Sequence, residues 1–572
     1  MGSQRSGQSL DLRCHRRGRY LLILILLGQP LWATTYYVAN AGSDSNNGTS
    51  SGTPWRTIAK VNGSSFSAGD SFLFNKGDTW REQLNPPSSG SVGNVITTGA
   101  YGSGAAPTIS GADLVTSWRQ YGASNVYYSS VAWHPAVVNQ SGTKLLNVAR
   151  QGAITPGTWY YDSGTITLYV ETTGTDTPAD YVMEVGHRAY CVQLSGVTYN
   201  TVTGLACNGA NSSGIFVTGG ANYSTISNNT ITNITSIKGA GIWAADIIVD
   251  GATNVTVTGN TVSHAAEGIV LAAYNSPLSS NGTISQNTVS YVDAVGILAS
   301  NGSVGNPQNT LITGNLVSYC VQTTDDNPGI GTYYVGTGTV IEYNIVNNCG
   351  TASARGSGIN IDSGSAATTV MYNVIYLNNY GGINLTESGH LVYGNTLYEN
   401  NQGSANAGEI SLFQSPTSKN YATNITIYNN ILYASPGKHV LQAYSGNTTN
   451  QQLKYNDYYN GESTPFGWGG TDYNFANYKT ASSQDENTLN SNPSFTNASA
   501  NNFTLASGSP AIDAGTNLGS TYQMGLAPSS SWPSSVSTLN QNSYGLGWEI
   551  GAFVFVQHIP PAPPTNLSAT VK

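Results

Sequence analysis

Charged residues are scarce in this chain, and basic ones are the scarcest. Asp, Glu, Lys and Arg make up only 9% of its 572 residues, with 29 acidic and 20 basic side chains. Proteins that bind nucleic acid need a concentrated basic surface to neutralise phosphates. The composition therefore argues against a nucleic-acid partner.

Helical patterns and cysteine are also rare. No segment shows an extended amphipathic helical period, and the five cysteines lack the Cys/His spacing of a zinc site. Glycine and tyrosine are abundant, with 66 and 36 residues, and 39% of the chain is hydrophobic. This composition is typical of a folded, turn-rich, β-rich extracellular protein.

One conspicuous apolar run lies near the N-terminus. Four arginines between positions 13 and 19 precede Leu21–Leu27, and Ala33 follows at a plausible cleavage point. This order predicts a secretory signal peptide at 1–33, with a membrane anchor as the alternative, although the run is short for a membrane-spanning helix. Removal of 1–33 leaves 15 basic and 28 acidic residues, a net charge of −13. We expect a secreted protein without membrane association once the signal is removed.

An asparagine returns about every 28 residues through the middle of the chain, at intervals between 22 and 35 residues. A nearly constant period with insertions is typical of a solenoid, in which each coil buries its apolar face against its neighbours. We expect these asparagines to lie at tight turns and to hydrogen bond to the next coil and to each other. They are Asn229, Asn260, Asn287, Asn315, Asn344, Asn373, Asn395 and Asn430.

A Gly-Ile pair opens a second strand in each coil. Strand alternation places the Ile and the residue two positions later inside, and the residue between them outside. The pairs begin at Gly214, Gly241, Gly268, Gly296, Gly329, Gly358 and Gly382. Each coil therefore contains at least two strands.

These repeats resemble those of right-handed parallel β-helix proteins of the pectate-lyase-like superfamily, which includes bacterial polysaccharide lyases and glycoside hydrolases. The flanks agree: GDTWREQL before position 85, TWYYD with TLYV at 158–170, and NPSF, SPAIDAG and WEIGAF after position 491 are similar to segments of such proteins. The resemblance implies an all-β, right-handed parallel β-helix solenoid with coils of about 22–35 residues and an N-terminal strand-rich insertion. It also implies a secreted bacterial carbohydrate-active protein, but not a particular reaction, because one fold serves many activities.

The expected organisation has five parts. They are a signal peptide at 1–33, the β-helix entry and insertion at 34–190, central coils at 191–440, C-terminal coils and cap at 441–556, and a Pro-rich linker with the start of a truncated fibronectin III-like module at 557–572.

Four cysteines remain after removal of the signal, at positions 191, 207, 320 and 349. Cys320 and Cys349 each lie five residues after a ladder asparagine, so we expect them to stack in adjacent coils about 4.8 Å apart. That spacing is within reach of a disulfide. Two buried free thiols are the alternative, because Ala265 holds the same position in another coil.

Acidic and aromatic residues collect beside the Gly-Ile strands. Three positions before the Gly, four of the coils carry Lys238, Asp293, Asp326 and Arg355, with Asp325 next to Asp326 and Ala265 in the coil between Lys238 and Asp293. The same stretches hold Glu267, Asp362, Glu387, Trp243, Tyr274, Tyr333 and Tyr334. In a chain with so little charge, this grouping on one face of a rod is the strongest functional signal. We expect His264 and His390 to be packing residues, and Glu399 and Glu409 to be exposed.

Paired carboxylates suit glycoside hydrolysis, which needs two carboxyls about 5–5.5 Å or about 6.5–9.5 Å apart. Asp293 lies one coil from Asp325 and Asp326, and coils rise by about 4.8 Å. Close like charges raise the pKa of one acid, which supplies an acid beside a base. We expect Asp293, Asp325 and Asp326 to be catalytic, with Asp362 and Glu267 as further candidates.

Substrate contacts are expected from the neighbouring side chains. Aromatic rings stack on sugar faces, and longer polar groups hydrogen bond to hydroxyls. The candidates are Trp243, Tyr274, Tyr333, Tyr334, Lys238, Arg355 and Glu387.

Two other functions use the same residues. In a calcium-dependent polysaccharide lyase, Asp293, Asp325 and Asp326 hold Ca²⁺ through oxygen ligands, and Lys238 or Arg355 removes the proton. A β-helix that only binds a glycan or a cell surface needs no catalytic group. The negative net charge opposes a polyanionic substrate, which favours hydrolysis of a weakly charged polysaccharide without a cofactor. The sequence carries no signal for the oligomeric state.

Overall fold

The computed structural model describes residues 33–235, 244–275, 277–403, 407–460 and 465–556. Within these ranges the chain winds into a parallel β-helix, and successive coils add strands to three long sheets. The predicted signal peptide up to position 32, the predicted linker at 557–572, Lys238 and Trp243 lie outside the described residues. None of the described helices is long and apolar enough to cross a membrane.

Sheet 1 is parallel throughout and has 13 strands. In spatial order they are Thr35–Val38, Ser71–Asn75, Ile96–Tyr101, Asn200–Thr203, Thr225–Ser227, Thr256–Thr258, Thr283–Ser285, Leu311–Thr313, Val340–Glu342, Thr369–Met371, Leu391–Tyr393, Thr426–Tyr428 and Gln452–Lys454.

Sheet 2 follows sheet 1 in each coil and has 12 parallel strands. They are Thr79–Trp80, Thr108–Ser110, Ala206–Asn208, Thr230–Thr232, Thr261–Ser263, Thr288–Ser290, Leu316–Ser318, Ile345–Asn347, Val374–Tyr376, Thr396–Tyr398, Ile431–Tyr433 and Asp457–Tyr459.

Sheet 3 completes the coil with 12 strands, of which the last pairs antiparallel. They are Tyr190–Ser195, Ser213–Thr218, Ala245–Asp250, Glu267–Ala272, Ile297–Ser300, Asn327–Tyr333, Gly356–Ile361, Gly381–Leu385, Gly408–Leu412, His439–Ala443, Phe466–Trp468 and Thr471–Tyr473.

The insertion lies between early coils and consists of two sheets. One contains Thr143–Lys144, Val138–Gln140, Met183–Gly186 and Ala112–Leu114. The other contains Leu146–Asn147, Thr158–Asp162, Thr167–Glu171, Tyr127–Ser130 and Arg119–Gln120. Trp159, Leu168, Val138 and Val185 belong to the apolar cluster shared by the two sheets.

The remaining described elements are short. They are the α-helices Ile58–Asn62 and Phe475–Ser482, the 3-10 turns Gln151–Ala153, Pro178–Asp180, Ala498–Ala500 and Gln541–Ser543, and the hairpins Phe495–Asn497 with Asn502–Leu505 and Met524–Leu526 with Thr538–Asn540. The last segment folds back onto earlier coils, where Trp532 Nε1 donates to the carbonyl of Tyr343.

The asparagine ladder is confirmed as structural. Asn260 Oδ1 accepts both the backbone N–H and the Nδ2 of Asn229, each at 3.0 Å. Asn287 Oδ1 accepts the same two groups of Asn260, and the pattern continues to Asn456. Because each asparagine satisfies buried amides at the turn between sheets 1 and 2, the ladder fixes the register of every coil.

The glycine of the Gly-Ile pair lies at a tight corner between sheets 2 and 3. A Cβ at Gly296 would lie 2.7 Å from Cys320 Sγ, and one at Gly329 would lie 2.4 Å from Val346 Cγ1. Any side chain would therefore collide with the opposite sheet. The Ile that follows is buried, as at Ile297 and Ile330.

In one coil the prediction from Gly-Ile is wrong. Backbone pairing aligns Ile215 with Ile247 and Ile247 with Ile269, so Ile247 holds the position predicted for Ile242. The Gly-Ile pattern fails in this coil because Asp246 occupies the corner position that Gly214 and Gly268 hold in the neighbouring coils. The positions predicted for Lys238 and Trp243 depended on Gly241 as the corner glycine, so their predicted alignment with residues of the other coils is wrong.

A second, shorter ladder corrects the expectation that Glu409 is exposed. Asn378 Nδ2 donates to Asn400 Oδ1 at 2.8 Å, and the backbone N–H and Nδ2 of Asn400 donate to the two oxygens of Glu409 at 2.8 and 2.6 Å. Burial raises the pKa of Glu409 to about 8, although these bonds oppose the shift. Glu409 thus ends a ladder inside the coil.

The cysteines form two buried groups of free thiols. Cys320 and Cys349 are aligned in adjacent coils, as expected, because Ser318 pairs with Asn347. Burial, with a hydrogen bond between the two thiols, raises the pKa of Cys320. Cys191 and Cys207 make a similar contact, which the sequence did not indicate.

Candidate active site

The outward face of sheet 3 changes from apolar to polar along the rod. Backbone pairing aligns its central column as Phe216, Ile248, Val270, Leu298, Gly331, Asn360, Asn384 and Ser411. Gly331 lies at the change, and a Cβ there would lie 2.6 Å from Pro328 Cγ. Pro328 therefore packs directly over the Gly331 backbone, at the point where the apolar half of the column meets the polar half.

Two adjoining cavities of about 200 and 160 Å³ lie along this face of sheet 3. Both are lined by Asp326, Asn360 and Asp362, so they form one groove, which we call the sheet 3 groove. The larger cavity also contacts Tyr380, Asn384, Thr386, Phe413, Gln414 and Pro416. The smaller one also contacts Glu267, Val295, Leu298, Asn327, Pro328, Gly331, Thr332 and Tyr333.

Glu267 begins its strand at the apolar end of the groove. Its Oε2 is buried and has no hydrogen-bond partner. Burial raises the pKa of Glu267 to about 7, because the low-dielectric surroundings disfavour the carboxylate. A carboxyl that keeps its proton near neutral pH and lines a groove is suited to act as a general acid.

Asp326 and Asp362 lie on consecutive coils and line both cavities, Asp326 just before its strand and Asp362 just after the next one. Asp326 adopts a left-handed backbone with φ of 64°, and its side chain is 65% exposed. Asp362 Oδ1 accepts hydrogen bonds from the backbone N–H and hydroxyl of Ser363 at 2.6 and 3.0 Å. These contacts orient Asp362 at the groove wall, while Asp326 remains accessible to a ligand.

Asp325 is turned away from this pair by an ion pair with Arg355. The Asp325 carboxylate accepts the Arg355 backbone N–H at 2.6 Å and its guanidinium at 2.9–3.1 Å. The guanidinium hydrogen bonds lower the pKa of Asp325. Arg355 also lies 3.5 Å from Asp326 Oδ2 and packs over the ring of Tyr380. Asp325 therefore positions the arginine that borders the groove.

Asp293 contacts the insertion. Its Oδ2 lies 3.7 Å from Lys144 Nζ, and Lys144 is only 11% exposed. Burial lowers the pKa of Lys144, while Asp293 and Asp246 oppose that shift. Asp246 is fully buried and both of its oxygens lack hydrogen-bond partners, so burial raises its pKa.

The three aspartates considered for Ca²⁺ do not converge. Asp325 binds Arg355, Asp293 faces Lys144, and Asp326 lines the groove. Within the described ranges there is no group of three or more His, Cys, Asp or Glu side chains arranged to hold a metal ion. The donor set thus does not fit the calcium site that a lyase of this design needs.

Of the predicted aromatic contacts within the described residues, only one lines the groove. Tyr333 lines the groove. Tyr334 packs edge-on against Tyr333 and over Gly364. Tyr274 is 45% exposed and lies outside both cavities, with its backbone N–H bound to Asp250.

Glu387 and His390 have structural contacts. Glu387 accepts the backbone N–H of Gly364, the Ser418 hydroxyl and the Asn420 amide. Burial alone would raise the pKa of Glu387, but these hydrogen bonds lower it. His390 is fully buried, which lowers its pKa to about 4. Glu387 therefore joins loops beside the groove, and His390 packs as expected.

Several groove residues were missed. Phe413 and Gln414 follow a strand that begins Gly408-Glu409-Ile410, which lacks a Gly-Ile pair; pairing of Ile383 with Ile410 identifies it. Tyr380 directly precedes the strand Gly381–Leu385, a position that the repeat makes visible. Lys144 comes from the insertion, outside any repeat, so no sequence signal could place it next to Asp293.

Comparison with known proteins agrees with this architecture. Residues 182–330 match the family model described as the right handed beta helix region, so the fold is a right-handed parallel β-helix, as the sequence predicted. No curated protein sequence matches the chain.

Solved structures share the fold at low identity. The complex of XylC with xylose aligns at TM-score 0.58 and 16% identity over 81% of this chain and 87% of that chain. The pectate lyase Pel9A aligns at TM-score 0.46 and 14% identity over 91% and 96%. The selenomethionine derivative of the GH136 lacto-N-biosidase from Eubacterium ramulus aligns at TM-score 0.43 and 16% identity over 68% of this chain and 67% of that chain. At these identities the likeness concerns the fold alone.

Proposed function

We propose that the sheet 3 groove is the active site of a glycoside hydrolase acting on a neutral or weakly charged polysaccharide. The observation that carries the proposal is the Glu267 carboxyl, which lines the groove, has a buried Oε2 without a partner and has a pKa raised to about 7. A general acid must hold its proton at the working pH and give it to the leaving oxygen. Glu267 meets that requirement.

Asp326 supplies the second carboxylate. It precedes a strand two coils from the strand of Glu267, which corresponds to about 10 Å along the rod at about 4.8 Å per coil. Both side chains line the smaller cavity, and an inverting hydrolase needs its two carboxyls about 6.5–9.5 Å apart to admit a water molecule, so a small inclination of the two side chains in the substrate complex is what the proposal requires. The proposed mechanism is therefore inverting.

In this mechanism Asp326 removes a proton from water as the water oxygen bonds to the anomeric carbon. The glycosidic bond breaks on the opposite face of the sugar, and Glu267 protonates the departing oxygen. Asp362, which follows the next strand of the sheet, hydrogen bonds to a hydroxyl of another sugar unit in the groove. Proton exchange with solvent then restores Glu267 and Asp326.

The remaining wall suits an uncharged sugar chain. Tyr333, Tyr380 and Phe413 provide ring faces for the apolar side of sugars. Asn384 Oδ1 is buried without a hydrogen-bond partner, so a ligand hydroxyl would satisfy it. None of the described residues that line the two cavities is Lys or Arg, and the one cation that borders the groove, Arg355, is already paired with Asp325 and Asp326, which disfavours a polyuronate there.

The test is product analysis on a panel of neutral and acidic glycans, with and without a chelator. The proposal predicts new reducing ends without the absorbance of unsaturated sugars, and loss of activity in Asp326→Asn. Chelator-sensitive unsaturated products would instead establish a lyase. Binding without any product would establish a glycan-binding protein.

A further inference from the structure

The insertion carries a row of aromatic side chains on its outer sheet. Backbone pairing places Tyr160 opposite Tyr169, and Tyr169 opposite Tyr128. Their ring centroids are 6.5 and 6.1 Å apart, with planes inclined by 26° and 37°. Tyr121, which is 48% exposed, meets Tyr128 and Tyr169 edge-on. We call these four residues the tyrosine row.

The tyrosine row is not part of the core of the insertion. Strand alternation sends Trp159, Tyr161, Leu168 and Val170 to the opposite face, where they are buried in the cluster shared with the second sheet. The row belongs to no apolar cluster of the described residues. Contiguous aromatic rings on a solvent face that packing does not require indicate a ligand surface.

Polar groups flank the rings on both sides. Asp162, Thr167 and Ser130 are paired across the same three strands, and Glu171 pairs with Thr158 on the other side. Hydrogen bonds from Thr165 and Gly164 lower the pKa of Asp162, so this partly exposed carboxylate is charged at neutral pH. Rings between hydroxyl and carboxylate acceptors match a ligand with apolar faces and hydroxyl edges.

We infer that the tyrosine row is a second glycan-binding site, which takes an extended, neutral polysaccharide chain apart from the sheet 3 groove. Three rings on neighbouring strands contact successive parts of a polymer, whereas a single sugar would reach only one or two of them. The carboxylates of Asp162 and Glu171 accept sugar hydroxyls, and the exposed Arg119, which pairs with Tyr128 at the end of the row, donates to them. Two carboxylates beside one guanidinium leave the surface net negative, which disfavours a polyanion. This inference rests on the proposed function for its ligand class. It adds a non-catalytic binding site for the polysaccharide to the proposed active site.

The experiment measures retention of the full chain on immobilised neutral and acidic glycans, in a Glu267→Gln background that preserves the ligand. Tyr169→Ala is expected to weaken binding of a neutral glycan about tenfold. Tyr169→Phe keeps the ring and should bind like the parent. Tyr223→Ala, at a 48% exposed tyrosine on the rod, is the matched control and should also bind like the parent.

Each outcome decides the inference separately from the proposed function. Equal retention of Tyr169→Ala and its parent on every glycan overturns the second site, even if the native chain cleaves one of them. Retention on acidic glycans only also overturns it. A dimer that dissociates in Tyr169→Ala, without glycan binding, would make the row a contact between copies. Retention that depends on Tyr169, without cleavage of any glycan by the native chain, would support the second binding site and contradict the hydrolase proposal.

Discussion

Lys144 Nζ lies 3.7 Å from Asp293 Oδ2, so an ion pair joins the strand-rich insertion to the side of the rod. Both side chains are mostly buried, and the carboxyl of Asp246 adds to the field around the lysine. Removal of one partner leaves the other charge buried without compensation. Asp293 therefore anchors the insertion, and the groove obtains its carboxylates from other coils.

A double-mutant cycle tests the ion pair between Lys144 and Asp293. Lys144→Met and Asp293→Asn should each lower the free energy of unfolding by about 1–3 kcal/mol, because each leaves a buried polar group unpaired. The double variant should lose less than the sum, with a coupling of about 1 kcal/mol. Urea unfolding measures both quantities. Strict additivity, or a more than hundredfold loss of activity in folded Asp293→Asn, would contradict the anchoring role.

The activity is expected to fall above about pH 7. Glu267 must be protonated to donate to the leaving oxygen, and burial raises its pKa to about 7. The profile of kcat/KM against pH should therefore show an alkaline limb that is absent from the residual activity of Glu267→Gln. An unchanged native rate up to pH 9 would exclude Glu267 as the acid.

Glu409 should contribute a loss of stability as pH rises from about 4.5 to about 8. Burial raises the folded-state pKa of Glu409 to about 8, so the folded chain holds a proton there that the unfolded chain releases near pH 4.3. This group therefore adds a negative slope of unfolding free energy against pH across this window, beside the contributions of Glu267 and Glu342 and against that of His390. Glu409→Gln should make the slope less negative than in the native chain, whereas the exposed control Glu486→Gln should leave it unchanged. Equal slopes for Glu409→Gln and the native chain would contradict the assignment.

The ladder predicts a large cost for one asparagine. Asn344 donates to the Ile312 carbonyl and to Asn373, and accepts the N–H and amide of Asn315. Asn344→Ala leaves several buried groups unsatisfied and should destabilise the rod by about 2–4 kcal/mol. Asn306→Ala, at a partly exposed position outside the ladder, should change stability by less than about 0.5 kcal/mol. Equal unfolding midpoints for the two variants would refute a structural ladder.

The repeat predicted the fold because backbone sterics enforce it. Gly296 and Gly329 admit no Cβ at their corners, and each buried turn amide needs an asparagine such as Asn287, so both signals recur in the sequence. The prediction failed where a coil breaks the rule. Asp246 replaces the corner glycine in one coil, so the alignment predicted for that coil is displaced. Glu409 separates Gly408 from Ile410 in another coil, so the strand before Phe413 has no Gly-Ile pair to indicate it.

The candidate site could be predicted only in part. The outward positions of Tyr333, Asn360 and Asp362 follow from strand alternation. The partners of Asp293 and Asp325 do not, because a lysine from the insertion and the direction of the Arg355 side chain depend on tertiary packing. Burial of Glu267 likewise arises from neighbours on other coils, and a single sequence does not reveal it.

The central claim is that Glu267 is the acid of a hydrolase. Its most direct test compares Glu267→Gln with Glu342→Gln, a carboxyl whose pKa burial also raises to about 7 but which lies on sheet 1. With the glycan that the native chain cleaves, we predict reducing ends without unsaturated sugars, at least a hundredfold lower kcat for Glu267→Gln, and a native rate for Glu342→Gln. Native-like cleavage by Glu267→Gln, or unsaturated products from the native chain, would contradict the account.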